Sequence, residues 1–154
     1  MPKPSTLTRS NLQQLAESRL QEAKCLMKNG LLDGAVYLAG YSLELALKAR
    51  VCALLDSDYP LEDPFRSFRT HSYETLLRLA GLEKILDQQK FLDAAFNSNW
   101  STLVGTSGAT RTEGWSETWR YRSLGSVSDA EANRFISALE DEHSGVLTWL
   151  KTLW

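Results

Sequence analysis

Histidine and cysteine are nearly missing from this 154-residue chain, which has two of each. No Cys-x-x-Cys or Cys/His cluster supplies a tetrahedral ligand set, so no metal centre is expected. Cys25 and Cys52 sit beside apolar neighbours in helical patterns and are expected as two buried, reduced thiols rather than a disulfide. The N-terminus, MPKPSTLTRS, lacks the apolar stretch of a secretory signal, and the expected location is cytoplasmic. A membrane span is not expected either. The apolar run 31–55 is rich in alanine and interrupted by Asp33, Glu44, Lys48 and Arg50, as a core helix is. Charge of one sign is also lacking, since a net charge of −2 gives no global drive toward nucleic acid. The Gly-rich stretch 105–114 lacks the Lys-Ser/Thr ending of a phosphate-binding loop and is expected as a connection. Internal repeats, low-complexity tracts and alternating strand patterns of useful length are absent.

Helical periodicity is what remains, and there is much of it. The chain is 43% hydrophobic, enough to bury a real core in one domain spanning 1–154. Residues 1–7 are expected as a disordered tail. A first helix is predicted from Thr8 to Lys28, with Leu12, Ala16, Leu20, Ala23 and Met27 as its apolar stripe. Asn29-Gly30 ends it, and a second helix follows at once, so the two form an antiparallel hairpin. Pro60 and Pro64 mark a long connection over 56–70. A short helix is expected over 72–80, with Gly81 as its stop. A fourth is expected over 82–100, anchored by Ile85, Leu86, Leu92, Ala95 and Phe96. Residues 105–126 form an irregular loop. Ser128-x-x-Glu131 matches a capping box, opening one last helix whose inner face runs through Ala132, Phe135, Ile136, Leu139, His143, Val146 and Leu150 to Trp154. The fold class is all-α, an antiparallel up-and-down bundle of about five helices.

The second helix, LLDGAVYLAGYSLELALKARVCALL, has two distinctive faces. At about 100° per residue, Tyr37, Tyr41, Glu44 and Lys48 share one narrow stripe. The other face is a seam of small residues (Ala35, Ala39, Ser42, Ala46, Ala49, Ala53), suited to close helix packing within the chain or between two copies. Glu44 and Lys48 stand in the favourable i, i+4 order. They are either a structural ion pair, completed by hydroxyls of Tyr37 and Tyr41, or the charged part of a pocket in which Lys48 holds an anion.

Charge is unevenly spread: 1–50 carries seven Lys/Arg against four acids, and 66–122 carries eight against six. Arg111, Arg120, Tyr121 and Arg122, interleaved with Trp115 and Trp119, suit single-stranded nucleic acid. The alternative is that both tryptophans pack the loop down and the arginines are merely solvated. His71 is either a helix-entry residue or part of the Tyr/Glu/Lys pocket.

Three segments resemble the HEPN domain family. They are Glu44-Leu45-Ala46-Leu47-Lys48-Ala49 in the second helix, Thr70-His71-Ser72-Tyr73-Glu74-Thr75-Leu76-Leu77 at the start of the short helix, and Trp119-Arg120-Tyr121 ahead of the last helix. The resemblance implies an antiparallel helical bundle, often a homodimer, in toxin–antitoxin, defence or nucleotidyltransferase-linked systems, with no cofactor. It implies a nucleotidyltransferase or antitoxin partner and a nucleotide or RNA as ligand, for which Tyr37, Tyr41, Glu44, Lys48, Arg69 and Tyr121 are the candidate residues. Many members are metal-independent endoribonucleases with an Arg-x(4–6)-His motif. Here only Arg66 and His71 satisfy that spacing, in a Pro/Phe-rich connection and without the Asn that often follows the arginine. The expectation is a catalytically diverged binding and assembly module. If the chain is instead an endoribonuclease, His71 is its acid/base, with Arg66, Arg69 or Arg120 on the phosphate. A purely protein-binding helical scaffold is the third reading.

Overall fold

The computed structural model describes residues 7–62, 64–109 and 111–154. The first two helices make the frame. Thr8 caps α1 (Arg9–Lys28) by accepting the Asn11 amide on its side chain at 3.1 Å, and Gly30, at φ 74°, turns the chain into α2 (Leu32–Leu55). The two run antiparallel. Ser42 donates to the carbonyl of Ala16 at 2.7 Å, while the amide of Tyr59, beyond α2, donates to that of Leu7, ahead of α1. Ala35, Ala39, Ser42, Ala46 and Ala49 are fully buried, and the Ser42–Ala16 bond shows how closely the seam lets the helix backbones approach.

Leu7 is thereby tied down and is not part of a loose tail; the rest of the expected tail, 1–6, lies outside the described residues. Cys52 is buried and its thiol is pushed up to about 11, chiefly by burial, but Cys25 is exposed. The expectation of two buried thiols fails because position 25 faces away from the Leu12–Ala16–Leu20–Ala23 stripe that meets α2.

Beyond the Pro60/Pro64 connection and a 3₁₀ turn at Arg66–Phe68 come α3 (Tyr73–Leu79, capped by Ser72), α4 (Glu83–Leu92) and α5 (Ala94–Val104). The single helix expected over 82–100 is therefore two. Asp93 leaves the helical conformation at φ −135°, ψ 100° and caps α5 by accepting the Phe96 amide at 2.9 Å. The break turns Phe96 inward but leaves Ile85 39% and Leu92 69% exposed, and Ala95 is exposed too. A two-stranded antiparallel hairpin, β1 (Gly105–Thr106) and β2 (Thr112–Glu113), pairs Gly105 with Glu113. It adds a small sheet to a chain expected to have none, inside the stretch expected to be irregular.

A 3₁₀ helix at Glu117–Tyr121 leads to α6 (Asp129–Glu140), which opens on the expected capping box of Ser128 and Glu131. The last helix also divides. It stops at Asp141, whose carboxylate accepts the amides of His143 and Ser144, and restarts as α7 (Val146–Leu150). His143 falls in this corner and is exposed, not on an inner face. Among the described residues the chain is mostly helical, with seven α-helices and one small sheet, and one buried cluster draws side chains from all seven. No helix among them is long and apolar enough to cross a membrane.

Candidate functional site

The polar stripe of α2 centres on Glu44, whose carboxylate is 2% exposed. An ionised carboxyl survives at such a place only if cations and donors surround it. Lys48, one turn on, supplies an ammonium at 2.6 Å and is itself only 12% exposed. The second partner comes from the loop before α3. The His71 Nδ1 lies 3.1 Å and 3.0 Å from the two Glu44 oxygens. A carboxylate can only accept, so Nδ1 carries a proton on the side that faces Glu44. The ring is half exposed (49%). His71 is thus oriented by a buried acid while its other nitrogen is left for a ligand.

Tyr37 and Tyr41 do not complete the Glu44–Lys48 pair. Their hydroxyls bond each other at 3.3 Å, and the Tyr41 ring meets His71 edge-on with centroids 6.1 Å apart. Burial, the Tyr37 hydrogen bond and the Glu44 charge all push the Tyr41 phenol up, so it remains a proton donor. Lys48 is likewise not a free cation for an anion: Glu44 holds it on one side, and the Tyr59 ring lies 5.5 Å away.

Trp115 brings the third element to this face. Its indole donates to the Tyr37 carbonyl at 3.2 Å, stacks on Tyr73 at 5.3 Å and meets Tyr41 edge-on at 5.0 Å. Gly40 makes room for it, since a Cβ there would collide with the indole. Tyr73 is held in turn by a 2.7 Å bond from its hydroxyl to the Gly40 carbonyl. With Trp115 seated, the following 3₁₀ helix places Arg120 within electrostatic reach of both Tyr37 and Tyr41, while its guanidinium packs 5.2 Å from the Tyr121 ring. Nearby phenols, Tyr121 first, push the Arg120 pKa further up, so it is a permanent cation.

The structure therefore gathers Tyr37, Tyr41, Glu44, Lys48, His71 and Arg120, with Tyr121 alongside Arg120. A groove of about 720 Å³ opens beside them, lined by Arg69, His71, Glu74, Trp115 and Glu117. Arg69 is in that groove, but its Nε is bound to the Leu61 carbonyl at 2.7 Å. Arg66 sits exposed on the Arg66–Phe68 turn. Arg122 lies over the Trp119 ring and pairs with Glu113. Both tryptophans pack the loop down, Trp115 nearly buried and Trp119 against Phe135. Sequence reasoning missed Trp115, Tyr73 and Gly40 as the parts that assemble the site. A glycine inside an otherwise apolar helix was the one available signal of close approach. Among the described residues no cluster of His, Cys, Asp or Glu could hold a metal ion.

Compared with known proteins, the chain matches no family model, no curated protein and no solved structure.

Proposed function

We propose that this protein is a HEPN-like helical module that binds a phosphate-bearing ligand, a nucleotide or RNA, on the strip formed by Arg120, the Tyr37 and Tyr41 hydroxyls and His71. One observation carries the reading: the His71 ring, anchored on buried Glu44, meets Tyr41 edge-on, and Arg120, forty-nine residues further along the sequence, lies within electrostatic range of Tyr37 and Tyr41. The guanidinium and the phenol hydroxyls offer the charge and directed donors that phosphate oxygens accept, with the half-exposed His71 ring at the edge of the strip. The HEPN-like assignment is supported by where the resembling segments lie. One residue of each comes near Tyr41: Glu44 of the first, His71 of the second and Arg120 of the third.

Binding and assembly suit the site better than RNA cleavage. Cleavage needs several cations on the charge that develops at phosphorus. The nearby arginines are otherwise engaged: Arg69 with the Leu61 carbonyl, Arg78 with Glu74 and Glu83, Arg122 with Glu113. The module then acts with a nucleotidyltransferase or another toxin–antitoxin or defence component.

Fluorescence anisotropy with labelled single-stranded RNA, and calorimetry with AMP, test this directly. Arg120→Gln is expected to weaken both by about tenfold, the usual cost of one charge-assisted phosphate contact. Unchanged binding in that variant, or no binding by the wild type, overturns the reading.

The second reading, a metal-independent endoribonuclease, draws on the Glu44-oriented imidazole, the arrangement expected of a histidine that moves a proton. RNA cleavage in EDTA that disappears with His71→Ala would replace the binding reading by this one.

A further inference from the structure

We propose that a second cavity, of about 570 Å³ between α5, the hairpin, the Glu117–Tyr121 helix and the start of α6, binds a small, uncharged, flat heteroaromatic molecule. Its volume falls within the range of small-molecule sites. The proposal does not depend on the phosphate strip.

The apolar part of the lining is Val36, Trp119, Val127 and Phe135, with the Trp119 and Phe135 rings 6.2 Å apart. Such a surface selects an apolar, ring-sized body. Ser98, Thr102 and Thr112 line another part; the Thr102 hydroxyl donates to the Ser98 carbonyl and that of Thr112 bonds Thr106, so a ligand meets oxygens there chiefly as acceptors.

Charge decides the class. Four charged side chains face the cavity, and they cancel. Arg122 pairs with Glu113 at 3.3 Å, and both Arg122 and Arg134 act electrostatically on Glu131. Glu131 is further occupied by the Ser128 amide and hydroxyl at 2.8 Å and 3.1 Å. A charged ligand would meet no net opposite charge and would lose its hydration on entry.

Flatness follows from Arg122. Its guanidinium lies 3.7 Å from the Trp119 ring centroid, and the side chain is still 34% exposed. A stacked guanidinium with an open face accepts a second planar group. Beneath it the Trp119 Nε1 is buried without a hydrogen-bond partner. An unmet buried donor is costly, and a ligand acceptor that reached it on repacking of the stack would remove that cost.

Nicotinamide is a suitable probe, because nicotinate and 1-methylnicotinamide carry the same ring with a negative and a positive charge. The readout is the set of indole N–H signals in a ¹H–¹⁵N spectrum, with Trp119→Phe to assign the relevant one. Nicotinamide is expected to shift the Trp119 signal saturably, with a Kd of about a millimolar, as befits so small a molecule. The two charged analogues should bind about fivefold or more weakly, a difference set by uncompensated desolvation. Ser98 is exposed on α5, so Ser98→Leu should block the cavity without altering thermal stability and weaken nicotinamide about tenfold. No saturable shift, tighter binding of either charged analogue, or indifference to Ser98→Leu in a folded variant overturns the proposal. Arg120→Gln should leave the nicotinamide response intact, which separates this outcome from failure of the phosphate strip.

Discussion

The imidazole of His71 and the carboxylate of Glu44 meet at 3.0 Å across twenty-seven residues of sequence, one ring half in solvent and one acid almost wholly out of it. Glu44 thus serves two partners with different duties. Lys48 balances its charge inside the protein, and His71 carries its influence to the surface. Removing the acid strands the ammonium. Glu44→Gln is expected to lower unfolding free energy by about 3 kcal/mol or more, the usual result of breaking one side of a buried pair. Glu44→Leu combined with Lys48→Leu should recover most of that loss, because no unpaired charge is then buried. Urea denaturation of the single and double variants decides it. A double variant no more stable than Glu44→Gln would mean that the pair is needed for packing beyond its charge.

Gly40 is the second point where one atom matters. Any Cβ there occupies the place of the Trp115 indole, which also loses its bond to the Tyr37 carbonyl if it moves. Gly40→Ala is expected to destabilise by about 1–3 kcal/mol through overpacking, even though alanine is the better helix former. It should also red-shift tryptophan emission as Trp115 is expelled. A variant more stable than wild type with unchanged emission would show that the indole has room to shift.

Acid should loosen the loops before the helices. Asp33, Asp93, Glu131 and Asp141 each accept backbone amides (first those of Gly125, Phe96, Ser128 and Ser144, respectively), and each is held below its ordinary carboxylate value. The folded-state values lie under the unfolded ones, so the unfolded chain takes up protons first as pH falls. The stabilisation is whole above the unfolded values of 3.8 for Asp and 4.5 for Glu, and it is lost as pH drops through the folded values. Asp33 is the clearest case, binding Gly125, Ser126 and Val127 from the first turn of α2. Hydrogen exchange at the Gly125 and Val127 amides should quicken relative to the core below about pH 4. Asp33→Asn should show that quickening already at neutral pH and little further change in acid. Equal protection of the two amides in wild type at pH 3 and pH 6, after correction for intrinsic rates, would refute the anchoring role.

The frame of the molecule was legible because periodicity reports burial directly. Leu12, Ala16, Leu20 and Ala23, and the small-residue seam opposite, follow from spacing alone, as does the capping box at Ser128. The breaks at 93 and 141 were not legible. Asp93 and Asp141 stand in stretches whose apolar residues continue at near-helical spacing, and only tertiary contacts tip each from helix interior to cap. The site was half legible. Tyr37, Tyr41, Glu44 and Lys48 share a stripe by arithmetic. That His71 rather than a tyrosine completes Glu44 depends on how the Pro60/Pro64 connection folds back, and no local pattern encodes that. Arg120 comes within electrostatic range of the stripe on the 3₁₀ helix that follows Trp115, which fills the slot over Gly40.

The break at Asp93 is itself testable. One carboxylate oxygen caps α5 through the Phe96 amide, and the other accepts the Ser144 hydroxyl at 2.8 Å from the corner between α6 and α7. Asn99 of α5 donates to the Ser144 carbonyl at 2.9 Å, closing the joint from the same side. Asp93→Ala removes both carboxylate bonds and is expected to lower the melting midpoint by a few degrees, as loss of a helix cap usually does. Ser144→Ala removes one and should lower it less. Asp93→Asn keeps an oxygen for the cap and should fall between the two. If the capping position instead tolerated Asp93→Ala or Asp93→Leu with no loss, the two helices would be free to merge. Circular dichroism would then register added helix, and the separation of α4 from α5 would owe nothing to this side chain.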